Sequence, residues 1–235
     1  MTAAIKAAQE GKSVIVLEKG AVTGGNTSRS TGGMNAAKTV LQDSNEFGED
    51  AGVEKTLKAA EAYPELLELA GTVQAEYDEY KANPEGYFDS VELFALDTMI
   101  GGKGINNPDL VWTMCSNSAA AIDWLAGLDT PINLTNVGAF GGASVKRIHR
   151  PVNEEGKTLS VGAYIVPLLE ENCSKLGIEI LTETEAKSII TDANGAAVGV
   201  EAVSGDSKVT VNAKAVVLTT GGFGGNLEMV AQLKP

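Results

Sequence analysis

The sequence predicts an α/β fold, and three features carry that expectation. The first is a helix-forming stretch, a glycine, a short apolar run and an acid, in that order, between Met1 and Glu18. The second is a return, from residue 160 onward, to alternating helix-like and strand-like segments. The third is glycine: 27 of 235 residues, about 11% against roughly 7% in an average protein. Much of it is paired, at Gly24-Gly25, Gly32-Gly33, Gly101-Gly102, Gly141-Gly142, Gly221-Gly222 and Gly224-Gly225. Paired glycines mark places where main chain turns tightly or approaches a ligand.

Met1 to Glu10 reads as a helix, with the strong helix formers Ala3, Ala4, Ala7 and Ala8, an apolar face at Ile5 and a stop at Gly11. Ser13 to Leu17 is a nearly continuous apolar run, the pattern of a strand buried on both faces of a parallel sheet, and Glu18 sits at its end. Helix, glycine, strand and terminal acid match the second half of a dinucleotide-binding βαβ unit, in which the acid binds ribose hydroxyls. The glycine fingerprint G-x-G-x-x-G, which follows the first strand of such a unit, has no place before a helix starting at residue 1. The expectation is a chain that begins after its fingerprint, or a gene model opened at an internal methionine. The alternative is a protein that needs no pyrophosphate loop.

The middle of the chain changes character. Val53 to Tyr80 reads as helices interrupted at Pro64 and Gly71, and Asn83 to Gly86 as a turn. Ser90 to Ile100 and Asp109 to Leu125 read as two further helices, with Ala119, Ile122 and Leu125 on one face of the second. Residues 40–135 are expected to be a mainly helical insertion in one domain spanning residues 1–235, and the acidic stretch from Glu46 to Asp89 has no function in that scheme. Residues 160–235 return to α/β: a helix over Val161 to Lys175, a stop at Gly177, and strands over Ile178 to Leu181 and Glu185 to Thr191. Val198 to Val203 and Lys208 to Val211 are expected to form an antiparallel meander around Ser204-Gly205-Asp206. Ala215 to Leu218 is expected to be a second apolar strand, running into Thr219 to Phe223.

Composition narrows the function classes. Hydrophobic residues are 43% and charged residues 21%, an ordinary globular balance, and no window approaches the roughly 18 apolar residues of a spanning helix. The net charge is −13, from 18 basic and 31 acidic residues, which argues against nucleic acid or an anionic membrane as partner. Cys115 and Cys173 are far apart and read as buried structural thiols. His149 is the single histidine, so no histidine-rich metal site is expected.

Four blocks then follow in order. Val16-Leu17-Glu18-Lys19 leads to Thr23-Gly24-Gly25-Asn26-Thr27 and Ser30-Thr31-Gly32-Gly33-Met34-Asn35. The others are Asp97 to Asn106 with Asp123-Trp124, Gly141 to Pro151, and Val217 to Asn226. Together they resemble the soluble fumarate reductase and flavocytochrome c group of flavoproteins, to which urocanate reductases and related ene-reductases belong. Succinate dehydrogenases, aspartate oxidases and ketosteroid dehydrogenases share the scaffold. The GGASVKRIHRP and TTGGFGGN blocks point to the soluble reductase branch.

The resemblance implies a Rossmann-like FAD-binding domain of the glutathione-reductase type, with a helical insertion and a small antiparallel β meander. The first strand, the capping domain and the C-terminal segment of that architecture would lie outside these residues. Glu18 would hold the ribose, and Gly25, Asn26 and Thr27 the pyrophosphate, through N–H and side-chain groups that need no lysine. Thr31, Gly32 and Gly33 would pass close to the isoalloxazine ring, Ala186 would contact adenine, and Thr220 and Gly221 would line the other edge of FAD. Each has a plainer reading: Glu18 as a solvated strand-end acid, Gly24-Gly25 and Thr220-Gly221 as turns, and Ala186 with no signal of its own.

The family reduces a C=C bond conjugated to a carboxylate, by hydride transfer from reduced flavin. The implied substrate is thus a small unsaturated carboxylate, fumarate- or urocanate-like, and the implied partner an electron-donor domain or protein not encoded here. The family's proton-delivering and carboxylate-clamping residues come from the cap and C-terminal segment, so no catalytic residue is assigned. His149, flanked by Arg147, Arg150 and Pro151, is read as structural or cofactor-proximal. A second class stays open at this point: a flavin-free remnant or interaction domain on a Rossmann scaffold.

Overall fold

A computed structural model describes residues 1–47 and 52–233. Its strands are β1 (Ile15–Leu17), β2 (Met34–Asn35), β3 (Asn136–Gly138), β4 (Ile148–Arg150), β5 (Glu179–Leu181), β6 (Thr184–Thr191), β7 (Ala197–Ser204) and β8 (Ser207–Asn212). Its α-helices are α1 (Thr2–Gln9), α2 (Gly52–Ala60), α3 (Leu67–Ala82), α4 (Val91–Gly101), α5 (Pro108–Ser116), α6 (Ser118–Ala126), α7 (Val161–Lys175) and α8 (Leu227–Leu233). The fold is α/β, and the chain divides into two compact units: Met1–Thr23 with Gly177–Pro235, and Gly24–Leu176.

In the first unit β1 pairs in parallel with β5, Ile15 opposite Glu179 and Leu17 opposite Leu181. The backbone carries the pairing one residue further, the Glu18 N–H donating to the Leu181 carbonyl at 2.9 Å. Strands β6, β7 and β8 form the expected antiparallel meander. The expectation that β1 is buried on both faces does not hold, for Ile15 is exposed and Val16 and Leu17 are half-buried. Among the described residues β1 has one strand neighbour, β5, and a strand is enclosed only where neighbours and covering helices exist on both sides.

The expected strand at Ala215 to Leu218 also fails. These residues take no regular structure, and Val217 and Leu218 are 69% and 66% exposed. An apolar run becomes a strand only when another strand takes up its N–H and C=O groups, and among the described residues none does.

The second unit holds the three-stranded antiparallel sheet β2-β4-β3 and a helical layer. Ser90 caps α4 by accepting the Leu93 N–H at 2.9 Å, and Asn107 caps α5 by accepting that of Leu110 at 3.1 Å, with Pro108 in the first turn. Val53, Leu66, Val73, Leu93, Leu96 and Val111 meet in one buried cluster. Beside it, Phe47 stands edge-on to Tyr77, Tyr80, Tyr87 and Phe88, the favoured arrangement of aromatic quadrupoles. The acidic stretch from Glu46 to Asp89, of which residues 48–51 lie outside the description, thus supplies core as well as charge. Helix α7 spans the residues expected of it, and the buried Asn172 side chain ties it to Thr130, accepting that residue's N–H at 3.0 Å and donating to its carbonyl at 2.9 Å.

Two helix boundaries depart from expectation. Gly71 lies inside α3 rather than interrupting it; an isolated glycine weakens a helix without ending it, whereas Pro64 does start a separate 3-10 turn. The helix expected over Asp109 to Leu125 is two, broken at Asn117. There Ser116 Oγ donates to the Trp112 carbonyl at 2.7 Å, Asn117 Nδ2 to that of Thr113 at 2.8 Å and Ser118 Oγ to that of Cys115 at 2.7 Å. Three consecutive polar side chains compete for the carbonyls that would continue the helix.

Candidate functional site

In the first unit Glu18 follows the last residue of β1. Its carboxylate Oε1 accepts the Gly20 N–H at 2.6 Å, which fixes the side chain against its own turn. Its main-chain carbonyl accepts the Thr184 N–H at 2.9 Å, and Ala186 stands two residues further along β6. Ala186 pairs with Ala202, and a bulge follows at once, since the next pair is Ser188 with Glu201. Bulges re-aim strand backbone and recur beside functional sites. Glu18 and Ala186 are therefore brought into one neighbourhood. Thr220 and Gly221 are not: they lie exposed outside any regular element.

In the second unit Gly24 (φ 93°) and Gly25 (φ 47°) both occupy the left-handed region. They open into the 3-10 turn Thr27–Arg29, with Asn26 at its N-cap. The turn is closed by the Thr27 N–H on the Gly24 carbonyl at 2.8 Å and by Ser28 Oγ on that of Gly25 at 2.9 Å. A Cβ at Gly24 would press on Ser28 Oγ and Val166, whereas no heavy atom lies within 4 Å of a Cβ at Gly25. Gly25, Asn26 and Thr27 are exposed, so the main chain of this turn is open to a ligand on one side and packed on the other. A pyrophosphate, which needs N–H groups and room rather than a cation, fits that geometry.

The turn is held by a residue that sequence reasoning passed over as a site residue. Gly162, in the first turn of α7, donates its N–H to the Ser30 carbonyl at 2.9 Å, and a Cβ on it would collide with the Thr27 carbonyl. Only a residue without a side chain lets α7 seat this close. The signal available was a glycine inside a helix otherwise rich in large apolar residues.

The Thr31-Gly32-Gly33 segment leads into β2, which pairs with β4. Thr31 is exposed and both glycines half-buried. A Cβ at Gly33 would run into the His149 carbonyl, Ile148 Cγ1 and Arg150 Cγ, so packing on β4 already requires a glycine there.

Behind this strip lies a buried polar network that joins the Asp97–Asn106 and Gly141–Pro151 blocks. Arg147 is fully buried. Its Nε reaches both Asp89 oxygens at 3.0 and 2.9 Å, Nη2 donates to Asp89 Oδ1 at 2.7 Å, and Nη1 donates to Asp97 Oδ2 at 2.6 Å. Gln42 and the Ser90 N–H also donate to Asp89, and Thr56 and Ser144 to Asp97. The guanidinium lies over the Phe94 ring, 4.9 Å from its centroid. Burial opposes the Arg147 charge, but Asp89 and Asp97 outweigh it and hold the group above its ordinary value. Arg147 is thus charged and committed to two carboxylates, and cannot serve as a free anion clamp. The sequence marked both blocks but not their pairing.

His149 is fully buried in β4, and burial pushes its imidazole below the ordinary histidine value. Cys115 and Cys173 are free and buried, the Cys115 thiol pushed up to about 11 by burial. Among the described residues no group of three or more His, Cys, Asp and Glu side chains is placed to hold a metal ion, and no helix is long and apolar enough to cross a membrane.

The chain is 36% identical to a fumarate reductase (cytochrome) of Shewanella frigidimarina, over 100% of this chain and 33% of that protein. It is 30% identical to a urocanate reductase of Eggerthella lenta, over 99% and 31%. Among solved structures, the open conformation of a flavocytochrome c3 fumarate reductase superposes with a TM-score of 0.73 at 29% identity, over 99% of this chain and 33% of that one. The chain spans about a third of the length of these relatives. Residues 1–77 and 70–235 match the FAD binding domain family, and the chain belongs to that family.

Proposed function

We propose that this chain is the FAD-binding portion of an oxidoreductase that reduces the C=C bond of an unsaturated carboxylate. The observation that carries the reading is similarity over the whole chain to proteins named as fumarate, acrylate and urocanate reductases. The chemistry that bound FAD supplies is hydride delivery from its reduced ring. The chain's own task is to bind and orient it. In this reading residues 1–235 form one cofactor domain, with 40–135 its mainly helical insertion and 160–235 its returning α/β part.

From the first unit, Glu18 hydrogen-bonds the ribose, Ala186 meets adenine through its main chain, and Thr220 and Gly221 line the cofactor's other edge. From the second, Gly25, Asn26 and Thr27 hold the pyrophosphate, and Thr31, Gly32 and Gly33 run beside the isoalloxazine ring. The packing of α7 on the Gly24–Thr27 turn supports this, since a preorganised loop loses little freedom on binding. The substrate is a small fumarate- or urocanate-like acid, and the reducing electrons come from a separate donor domain or protein.

The test is the visible absorption spectrum of the purified chain, before and after incubation with excess FAD and gel filtration. Flavin bands that stay with the protein are expected. If they are lost, the chain is retested with a strand and glycine loop added before Met1. An extended chain that still refuses FAD overturns the reading in favour of a flavin-free scaffold.

A further inference from the structure

The chain has one histidine, and the proposed function gives it no part as acid or base. Its surroundings give it another. Met34 pairs with His149 and Asn35 with Ile148 in the β2–β4 register, and the His149 carbonyl closes the space beside Gly33. The ring spends both nitrogens: Nδ1 is 2.8 Å from the Arg147 carbonyl and Nε2 is 2.7 Å from Thr39 Oγ1. A carbonyl only accepts, so Nδ1 carries the proton, Nε2 accepts, and the Thr39 hydroxyl donates. The Arg147 carbonyl also accepts the Ala36 N–H at 3.1 Å. The ring thus closes a loop between β4 and the chain directly after β2.

Thr39 is itself fixed. Its N–H donates to Gln42 Oε1 at 2.9 Å, and Gln42 Nε2 donates to Asp89 Oδ2 at 2.7 Å, the carboxylate gripped by Arg147. Residues 33–39 are therefore pinned at one end by β4 and at the other by Thr39, with His149 common to both. The charge that acts on the ring is that of Asp89, already paired to the Arg147 guanidinium; the ring's direct hydrogen-bond partners, the Arg147 and Met34 backbone and the Thr39 hydroxyl, are neutral.

We propose that His149, as the neutral Nδ1–H tautomer, is a positioning residue that works with Thr39 to set the height at which the Thr31–Gly33 main chain meets the flavin ring. This rests on the reading that Thr31–Gly33 faces that ring. A second proton on Nε2 forces the Thr39 hydroxyl to turn and accept, and places a charge where its hydrogen-bond partners offer no counter-charge. The burial that depresses the imidazole acts in the same direction. Strip and ring then loosen together.

Because His149 is alone, its two ring nitrogens give one unambiguous pair of signals in a 15N-labelled chain. The experiment follows that pair with and without FAD, and measures FAD affinity and the flavin spectrum for Thr39→Val, Thr39→Ser and Val73→Ala. Thr39→Val keeps shape and loses the O–H donor. Val73→Ala lowers stability from the helical core, away from the strip. Expected are an Nδ1–H pattern that does not titrate near the ordinary histidine value, a shift of the pair on adding FAD, and FAD binding weakened about tenfold by Thr39→Val, the size of one lost buried hydrogen bond. Thr39→Ser should restore affinity, and Val73→Ala should leave it unchanged.

An Nε2–H pattern, ordinary titration, or wild-type affinity and spectrum in Thr39→Val overturns the positioning role. An equal loss in Val73→Ala does the same, by reducing the effect to general destabilisation. An intact Nδ1–H pattern in a chain that binds no FAD, even with a strand and glycine loop added, overturns the cofactor reading instead, and the role with it.

Discussion

Arg147 Nη1 lies 2.6 Å from Asp97 Oδ2 while the other edge of the same guanidinium grips Asp89, and all three side chains are at most 7% exposed. One cation therefore holds α4, through Asp97, to the residues that lead into it, through Asp89. Such a cluster is costly to break from one side, because the partner left behind is a buried charge. Replacing Arg147 by Met should cost about 3–5 kcal/mol in chemical denaturation. Arg147→Lys should recover little, because an ammonium cannot reproduce the fork that meets both carboxylates. A loss below about 1 kcal/mol for Arg147→Met would mean that the cluster contributes little to stability.

The two thiols should be inert in the native state. Cys115 is 1% and Cys173 0% exposed, and burial raises both thiols above their ordinary value, Cys115 to about 11. The reactive species is the thiolate, which is scarce near neutrality and shielded besides. Titration with a thiol reagent at neutral pH should therefore show labelling only as the chain unfolds, with both sites appearing on addition of denaturant.

What the sequence disclosed depended on how local the cause was. Helix α7 and the meander were legible because periodicity, Gly177 and the turn at Asp192 to Gly195 act over a few residues. The Gly24–Thr27 turn was legible for the same reason. Ala215 to Leu218 was misread because a strand is a relation between two segments, and composition reports only one of them. Asn117 broke a helix through three side-chain hydrogen bonds that propensity does not count. At the candidate site, the glycines at 25 and 33 looked alike in sequence. One faces open space and the other packs against β4, and only tertiary structure separates them. The pairing of Arg147 with Asp89 and Asp97 was hidden for the same reason, its members being about fifty residues or more apart.

His149 gives stability a definite pH dependence. Its folded-state value lies below the ordinary 6.5, so the unfolded chain takes up the proton first as pH falls. Its contribution is fully present above 6.5 and is lost as pH drops from there toward the depressed folded value. Many carboxylates titrate in the same chain, so the comparison that isolates the imidazole is with His149→Gln. As pH falls through and below 6.5, the wild type should lose more stability than that variant. Parallel stability curves would show that His149 is not held neutral by the fold.

Gly25 and Gly33 should separate binding from folding when each becomes alanine. Gly25 has φ 47° and nothing within 4 Å of a Cβ, so the methyl group costs only left-handed strain, about 1–2 kcal/mol. That methyl would stand on the open face of the turn, where the pyrophosphate is proposed to lie, and FAD affinity should fall about tenfold or more. Gly33 does not have a positive φ, but its Cβ would meet the His149 carbonyl, Ile148 and Arg150. The methyl group must push β2 off β4, and overpacking of this kind costs about 1–3 kcal/mol. The measurement is a pair of values for each variant, unfolding free energy and FAD dissociation constant. Gly25→Ala should move the second far more than its stability loss accounts for. Gly33→Ala should move the first, and its FAD affinity should fall only as the strip is displaced. If Gly25→Ala binds FAD as the wild type does, the turn at residues 24–27 is a structural corner, and the pyrophosphate assignment falls without disturbing that of Glu18.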